Sequence, residues 1–169
     1  NQQILRVDTE PDIKEIDYQL PEGEYDALVI SDYNKGFLTT EKISEIVDSF
    51  DGPVFIDTKK NYLPKLDAYV KINEHEYNNF KSSIEKLLIT RGGKGCEYKG
   101  KLYPAEKVNV FDVVGAGDTF LSALVYFYLK CGRIEEAIPY ANKAAAIAVS
   151  NFGTYALTKE DVDTILWKF

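Results

Sequence analysis

The sequence predicts an α/β fold in which a mostly parallel sheet carries helices on both faces. Short apolar runs end in polar residues, as buried parallel strands do. Segments with helical spacing of apolar residues separate several of these runs, so the chain repeats the order strand, polar loop, helix, strand. A chain of 169 residues is long enough for one domain with its own core, and we expect residues 1–169 to form a single domain.

The predicted strands of the parallel sheet are apolar runs at residues 27–30, 54–56, 68–72 and 87–89. The polar residues that follow these runs include Asp32, Asp57, Asn73 and Thr90. In an open parallel sheet, ligands bind beyond the carboxyl ends of the strands. We therefore expect these polar residues to lie at one shared site.

The first helix is predicted after the first strand, where Ile43, Val47 and Phe50 have helical spacing. A cap signal at Thr39–Thr40 precedes these residues, and Gly52–Pro53 breaks the helix. The placement of a helix between two strands is what a parallel sheet requires, because each parallel connection must cross from one end of the sheet to the other.

The C-terminal half begins with residues 96–103, which alternate around a Lys-Gly pair and predict a hairpin. Three helices are expected after the hairpin. The first follows a glycine-rich segment and ends at Gly132, and the second is alanine-rich and covers about residues 134–150. Residues 158–161 form an acidic variant of the capping box and predict the third helix.

Composition and charge exclude several classes of function. The net charge of −7 repels a phosphate backbone, so nucleic acid is not expected as a partner. No apolar run is long enough to span a membrane, and no basic start leads into an apolar signal segment, so we expect a cytoplasmic protein without a membrane partner. The isolated Cys96 and Cys131 fit buried thiols in a reducing compartment, and the lone His75 argues against a zinc site.

The most informative segment is Asp112-Val113-Val114-Gly115-Ala116-Gly117-Asp118. The small residues at 115–117 let the backbone approach a ligand closely, and they open a helix whose free N–H groups favour an anion. Asp118, just inside the helix, is either a plain charge on the helix dipole or a general base for a hydroxyl that attacks the anion. Together with the glycine loop it predicts phosphoryl transfer, in which backbone amides hold the charge on the phosphoryl oxygens.

Two other glycine-loop chemistries are disfavoured. The segment Gly92-Gly93-Lys94-Gly95 does not supply the Gly-x4-Gly-Lys-Ser/Thr spacing of a P-loop NTPase. The segment Gly115-Ala116-Gly117 lacks the third glycine of a dinucleotide fingerprint. A P-loop NTPase and an NAD-dependent enzyme are therefore not expected.

Four segments, taken together and in this order, resemble the ribokinase-like (PfkB) carbohydrate kinases. Asn73-Glu74-His75-Glu76 matches that family's Asn-x-x-Glu motif, and residues 90–95 match its Thr-x-Gly-x-x-Gly loop. Residues 112–118 look like its second signature, and residues 142–153 look like its adenine-side helix and the following loop. The resemblance implies an ATP-dependent sugar kinase with a ribokinase-like fold. It identifies residues 1–169 as the C-terminal, nucleotide-binding and catalytic half, with the β-lid and the sugar-binding N-terminal part absent.

A narrower resemblance is to the heptose 7-phosphate kinase domain of bifunctional ADP-heptose synthases. It rests on residues 1–8, 31–36, 57–59 and 152–154. This resemblance implies D-glycero-D-manno-heptose 7-phosphate as the acceptor, phosphorylated at the 1-hydroxyl. The residues alone leave other acceptors open, such as ribose, fructose or a nucleoside.

The family resemblance also implies catalytic and metal roles. Asp118 would be the catalytic base, and Gly115-Ala116-Gly117 would form the anion hole for the transferring phosphoryl group. Asn73 and Glu76 would position Mg²⁺ and the phosphates, with Glu76 near the metal and water between them, because Mg²⁺ keeps much of its hydration. Asp112 would hold a monovalent cation such as K⁺ or brace the loop.

The remaining implied roles concern ATP. Thr90, Gly92 and Gly95 would line the triphosphate, Asn142 would lie beside the adenine, and Lys59 would reach a phosphate. Each of these residues also has a structural interpretation. The glycine loop is also compatible with an ordinary hairpin turn, Asn142 with a hydrogen bond to a neighbouring loop, and Lys59 with a solvated surface lysine.

The expected partner is a small-molecule sugar or sugar phosphate, and a homodimer of the full-length protein is left open. The chain opens at Asn1 and contains no Met, which suggests a fragment of a longer protein. A non-catalytic nucleotide-binding fragment is therefore the alternative to an active kinase. The stretch between Glu76 and Leu87 is also shorter than the family's usual one or two extra helices.

Overall fold

The computed structural model describes residue 14 and residues 20–167, and these form a six-stranded sheet whose strand order follows the chain order. Strands β1 to β4 are parallel, whereas β5 and β6 add an antiparallel hairpin to β4. This arrangement confirms the predicted mostly parallel sheet. The strands are β1 (Leu28–Asp32), β2 (Val54–Thr58), β3 (Tyr69–Asn73), β4 (Leu87–Thr90), β5 (Cys96–Tyr98) and β6 (Lys101–Tyr103).

Four of the helices begin and end near the sequence signals that predicted them, whereas the short helix at Glu74–Tyr77 was not predicted. The Thr39 hydroxyl accepts a hydrogen bond from the Lys42 N–H at 3.1 Å and caps the first helix. Gly132 ends the third helix in the left-handed conformation, with φ of 72°. The helices are α1 (Thr40–Ser49), α2 (Glu74–Tyr77), α3 (Ala116–Cys131), α4 (Ile134–Val149) and α5 (Lys159–Trp167).

The start of α5 confirms the acidic capping box. The Thr158 N–H donates to the Asp161 carboxylate at 2.8 Å, and the Asp161 N–H donates to the Thr158 hydroxyl at 3.2 Å. Each residue therefore satisfies a backbone group of the other, which is the reciprocal pattern that stabilises a helix N-terminus.

Two hydrophobic cores lie on opposite faces of the sheet, because neighbouring residues of a strand point to opposite sides. Phe55 of β2 packs into a core formed with α3, α4 and α5, whereas the next residue, Ile56, packs into a core that contains α1. Helices therefore cover both faces, as the sequence predicts. The first core includes Leu88, Phe120, Leu124 and Ile138, and the second includes Ile43, Val47, Val70 and Ile72.

Three further sequence-based expectations concern single residues or segments. Cys96 is buried as expected, but Cys131 is only partly buried. None of the helices that the structure describes combines the length and apolar character needed to cross a membrane. Residues 1–8, which carry part of the narrower resemblance, lie outside the described residues.

Candidate active site

The N-terminus of α3 begins at Gly115, which adopts the left-handed conformation with φ of 78° and ψ of −4°. A side chain is strained in this conformation, so a glycine at the helix start has a structural reason. Asp112 braces the turn from outside the helix: its carboxylate accepts from the Val114 N–H at 2.9 Å and from the Gly153 N–H at 3.2 Å. The bracing role left open for Asp112 is therefore observed, and its role as a cation ligand stays a prediction.

Asp118 occupies the first turn of α3 and is exposed to solvent. A carboxylate that is turned into the core could not meet a substrate hydroxyl, so this exposure is a requirement for the predicted general base. Asp118 also lies close enough to Asp57 at the end of β2 to raise the pKa of that carboxyl. The first turn of α3 therefore faces the carboxyl ends of the parallel strands.

The glycine loop after β4 is held tightly against the chain that leaves β6. Gly95 has φ of 104° and ψ of −144°, a region that is essentially limited to glycine. A Cβ atom at this position would lie 2.0 Å from the Tyr103 carbonyl oxygen and 2.6 Å from the Ala105 nitrogen. The loop therefore requires glycine for both its conformation and its packing. Residues Gly92–Lys94 complete it as a single 3₁₀ turn.

Arg91 ties this loop to α2 and β5. Its guanidinium donates to Glu97 at 2.9 Å and to Glu74 at 2.8 Å. Lys94 adds a longer contact of 3.7 Å with Glu74. Because Glu74 follows Asn73 directly, this set of ion pairs fixes the glycine loop relative to the Asn-x-x-Glu motif.

The Asn-x-x-Glu motif forms a capping box at the start of α2. The Glu76 N–H donates to the Asn73 side-chain oxygen, and the Asn73 N–H donates to one carboxylate oxygen of Glu76, both at 2.8 Å. The two side chains are thus oriented by the end of β3. Their predicted contact with Mg²⁺ and phosphate stays a prediction.

A cavity of about 540 Å³ joins these elements at the carboxyl ends of β3 and β4. Its size falls within the range of about 300–1,000 Å³ that is typical of small-molecule sites. The predicted site residues that line it are Asn73, Thr90, Gly92, Gly95, Ala116, Gly117 and Asn142. Residues from four separate sequence motifs therefore line one strand-end cavity. Of the four strand-end residues expected at a shared site, Asn73 and Thr90 line this cavity, whereas Asp32 and Asp57 do not.

The other predicted site residues lie outside this cavity. Gly115 and Asp118 line a second cavity of about 380 Å³ that also begins at the start of α3. The ammonium of Lys59 lies 4.5 Å from the ring centroid of Tyr33 and is not part of the cavity wall, so the geometry gives no support to its predicted phosphate contact. Glu76 and Asp112 also do not line the cavity.

Asn142 is buried in α4, where its side-chain amide donates to the carbonyl oxygens of Tyr103 at 2.9 Å and Pro104 at 3.2 Å. The structural alternative for Asn142, a hydrogen bond to a neighbouring loop, is therefore present in the structure. The residue also lines the cavity, so a place beside the adenine stays a prediction.

Sequence reasoning missed several residues of the cavity wall, and Lys71 is the buried charged residue among them. Lys71 lies in the middle of β3, is 5% exposed, and pairs with Asp57 of the neighbouring strand at 2.6 Å. Burial of the Asp57 carboxyl raises its pKa, and Lys71 opposes that shift. The available signal was the charge itself, because a lysine between Val70 and Ile72 in a buried strand needs a partner.

Comparison with known proteins identifies the family. The sequence profile described as "pfkB family carbohydrate kinase" matches residues 41–161, well over half of the chain. The chain belongs to the pfkB family of carbohydrate kinases. This result confirms the resemblance drawn from the motifs at residues 73–76, 90–95 and 112–118.

Curated relatives of the chain carry the name bifunctional protein HldE. The protein from Nitratiruptor sp. is 30% identical over 197 aligned positions, which cover 96% of this chain and 42% of the relative. The protein from Campylobacter jejuni strain RM1221 is 29% identical, with 96% and 43% covered. The chain thus spans less than half the length of these relatives. The 197-position alignment is also longer than the 169-residue chain, so the relative carries residues that this chain lacks.

Solved structures of sugar kinases share the fold. Ribokinase from Thermotoga maritima superposes with a TM-score of 0.62 at 22% identity, covering 83% of this chain and 57% of that chain. Phosphofructokinase-2 from Escherichia coli, in complex with potassium, gives a TM-score of 0.65 at 17% identity, with 84% and 56% covered. The ribokinase-like fold is therefore confirmed for the part of the chain that the structure describes.

Proposed function

We propose that this pfkB-family chain carries the nucleotide site and catalytic base of an ATP-dependent kinase that phosphorylates a sugar hydroxyl. The observation that carries the proposal is the shared strand-end cavity. It joins the glycine loop after β4, the Asn73 cap and the start of α3, and Asp118 follows directly on the wall residue Gly117. Three motifs that are separate in sequence therefore converge on one space large enough for a nucleotide.

The backbone around the cavity suits a polyphosphate. The first turn of α3 presents N–H groups and the positive end of the helix dipole, and both favour an anion. Gly92 and Gly95 line the same space from the opposite loop. Glycines allow close approach, so a triphosphate that lies between the two loops would receive backbone donors from each.

Mg²⁺ would be held at this site mainly by the phosphates of the nucleotide. Within residues 20–167, no three His, Cys, Asp or Glu side chains are grouped so that they could hold a metal ion. Mg²⁺ in kinases binds through one or two carboxylates, the substrate phosphates and several waters, so such a group is not required. Besides Glu106, which lines the cavity, Glu76 and Asp57 each contact a residue of its wall, since Glu76 bonds to Asn73 and Asp57 to Lys71. Bound magnesium would supply charge neutralisation on the phosphates.

The phosphoryl transfer step assigns a role to the start of α3. Asp118 accepts the proton of the sugar hydroxyl as that oxygen forms its bond to the γ-phosphorus. The bond between the γ-phosphorus and the bridging oxygen breaks, and ADP leaves with its electron pair. The α3 amides stabilise the charge on the transferring group. The braced turn at Asp112 keeps these amides in place, because it holds Val114 and Gly153 together.

Asp112 is also the residue at which we propose a monovalent cation. It bridges two loops with its carboxylate, and E. coli phosphofructokinase-2, which shares the fold, has been solved in complex with potassium. A cation bound at the back of the turn would stabilise the same loop conformation that Asp112 already favours.

For the acceptor we propose D-glycero-D-manno-heptose 7-phosphate, phosphorylated at the 1-hydroxyl. The support is the resemblance at residues 31–36, 57–59 and 152–154 and the name HldE shared by curated relatives at about the 30% identity level. The acceptor is a finer proposal than the kinase class, because many acceptors occur on one fold.

The test is the variant Asp118→Asn in the full-length protein. Removing a general base lowers turnover by roughly 10²- to 10⁴-fold, whereas ATP affinity stays near that of the wild type because the amides remain. The matched control is Asp163→Asn, which changes an exposed aspartate on α5 away from the cavity. Sugar-dependent ADP release and ATP binding are measured for each.

Unchanged turnover in Asp118→Asn would exclude the proposed base. The acceptor is decided separately by a panel of free and phosphorylated sugars with the wild-type protein. Turnover with ribose or fructose, but none with heptose 7-phosphate, would remove the acceptor proposal and leave the kinase class intact. ATP binding without turnover on any sugar would favour a non-catalytic nucleotide-binding protein.

A further inference from the structure

Lys71 is a buried cation on the wall of the nucleotide cavity. Its side chain is 7% exposed, and its ammonium donates to the Asp57 carboxylate at 2.6 Å. Burying an ammonium costs several kcal/mol unless partners compensate, and replacing such a pair by apolar residues is often neutral or stabilising. A buried ion pair in the middle of a sheet is therefore weak evidence for a purely structural purpose.

The position of the ammonium points to a ligand. A Cβ atom built on Gly117 would lie 2.9 Å from the Lys71 nitrogen, so the amine touches the first turn of α3. Lys71 and Gly117 both line the same cavity. An ammonium at the positive end of a helix meets unfavourable electrostatics, and an anion between the two would relieve it.

Acidic residues near the Lys71 ammonium would repel a phosphate, so a phosphate bound there needs this positive charge. Burial raises the pKa of the Asp57 carboxyl, and the negative charges of Glu76 and Asp118 raise it further, so the surroundings of Asp57 are acidic. A phosphate that enters this region must meet a positive charge. Two residues of the cavity wall carry one: Lys107, which is exposed, and Lys71, which is buried.

We infer that Lys71 binds a phosphate of the nucleotide, and that Asp57 is the partner that holds its ammonium before the nucleotide arrives. The inference rests on the proposed ATP site. A lysine suits this exchange, because its ammonium has three donors on a flexible stem and can keep the Asp57 contact while it turns a second donor to a phosphate beside Gly117. Its place at the start of α3 assigns it to the phosphates near Asp118, which are the terminal ones.

The test compares ligands that differ in phosphate content. The affinities of ATP, inorganic tripolyphosphate and adenosine are measured for the full chain and for Lys71→Met, which keeps the apolar stem without the charge. We expect ATP and tripolyphosphate to bind roughly 10- to 100-fold more weakly, the loss typical of one charged hydrogen bond, and adenosine to change by less than about twofold. The matched control is Lys130→Met, which changes an exposed lysine in the last turn of α3 outside the cavity wall, with an expected change below about threefold.

A second variant keeps the test decisive if Lys71→Met leaves Asp57 buried and unpaired. The double variant Asp57→Asn with Lys71→Met removes both charges, and the same selective loss of phosphate-bearing ligands is expected. Equal loss of adenosine and ATP in a folded double variant would overturn the inference and leave a structural pair.

Two results with the unchanged protein separate this inference from the proposed function. If wild-type protein binds ATP no more tightly than adenosine, the phosphate contact is refuted while the nucleotide site stands. If it binds neither ligand, both the nucleotide site and the role of Lys71 are refuted.

Discussion

We expect the proposed site to be most sensitive to an added methyl group at Gly95, as in the variant Gly95→Ala. The Gly95 conformation, with φ of 104°, costs roughly 1–3 kcal/mol for any other residue. In Gly95→Ala the new Cβ would lie 2.0 Å from the Tyr103 carbonyl oxygen, so the chain after β6 must move. The Tyr103 oxygen also accepts a hydrogen bond from the buried side-chain amide of Asn142. Loss of this hydrogen bond adds about 1–3 kcal/mol to the destabilisation.

The expected destabilisation of Gly95→Ala is therefore roughly 2–6 kcal/mol, a large part of the 5–15 kcal/mol that stabilises a typical domain. Urea unfolding measures it directly, and a folded fraction should also show weakened ATP binding, because Gly95 and Asn142 both line the cavity.

The matched control for this prediction is two residues away. Gly93 lies in the same loop, but a Cβ atom there meets nothing within 4 Å, and its φ is not positive. Gly93→Ala should change the free energy of unfolding by less than about 0.5 kcal/mol. If Gly95→Ala cost less than about 1 kcal/mol, or no more than Gly93→Ala, the packing of the loop against the chain after β6 would be refuted.

Two further variants test contacts that hold the segments around the cavity in place. Asn142→Leu leaves the Tyr103 carbonyl without its buried donor, so urea unfolding should show a loss of about 1–3 kcal/mol; an unchanged midpoint would mean that the bond contributes nothing. Arg91→Met removes the guanidinium that joins Glu74 to the glycine loop, and ATP should bind roughly three- to tenfold more weakly because the two motifs lose their fixed spacing. The control is Lys94→Met, because the Lys94 side chain is 69% exposed and its contact with Glu74 is longer; equal ATP affinity in both variants would contradict the link.

Features with local causes could be predicted from the sequence. The Thr39 cap, the Gly132 end of α3 and the Thr158–Asp161 box each involve residues within one helical turn, and the structure has all three. The strands were found for a similar reason, since buried parallel strands are apolar throughout and end at polar residues. The predicted boundaries differ from the observed ones by a few residues, because a strand is extended or shortened by pairing with its neighbours.

Contacts between distant residues could not be predicted in the same way. The partners of Asn142 lie 38 and 39 residues away, and the partner of Lys71 lies 14 residues away on another strand. Both pairs depend on which strands are neighbours, and that order is a property of the whole sheet. The motifs indicated which residues belong to the site, but the packing of α4 and the register of β2 with β3 decide what they touch.

The capping box of α2 is compatible with the proposed metal-binding role of Glu76. The Asn73 N–H occupies one oxygen of Glu76, yet a carboxylate has two oxygens and about four lone-pair positions. The cap fixes the direction of the Glu76 side chain at the end of β3, and a fixed carboxylate meets a hydrated cation at a smaller entropic cost than a mobile one. The same pattern of an acid held by backbone donors recurs at Asp112. The local structure and the proposed chemistry therefore both require these carboxylates to be held in a fixed direction.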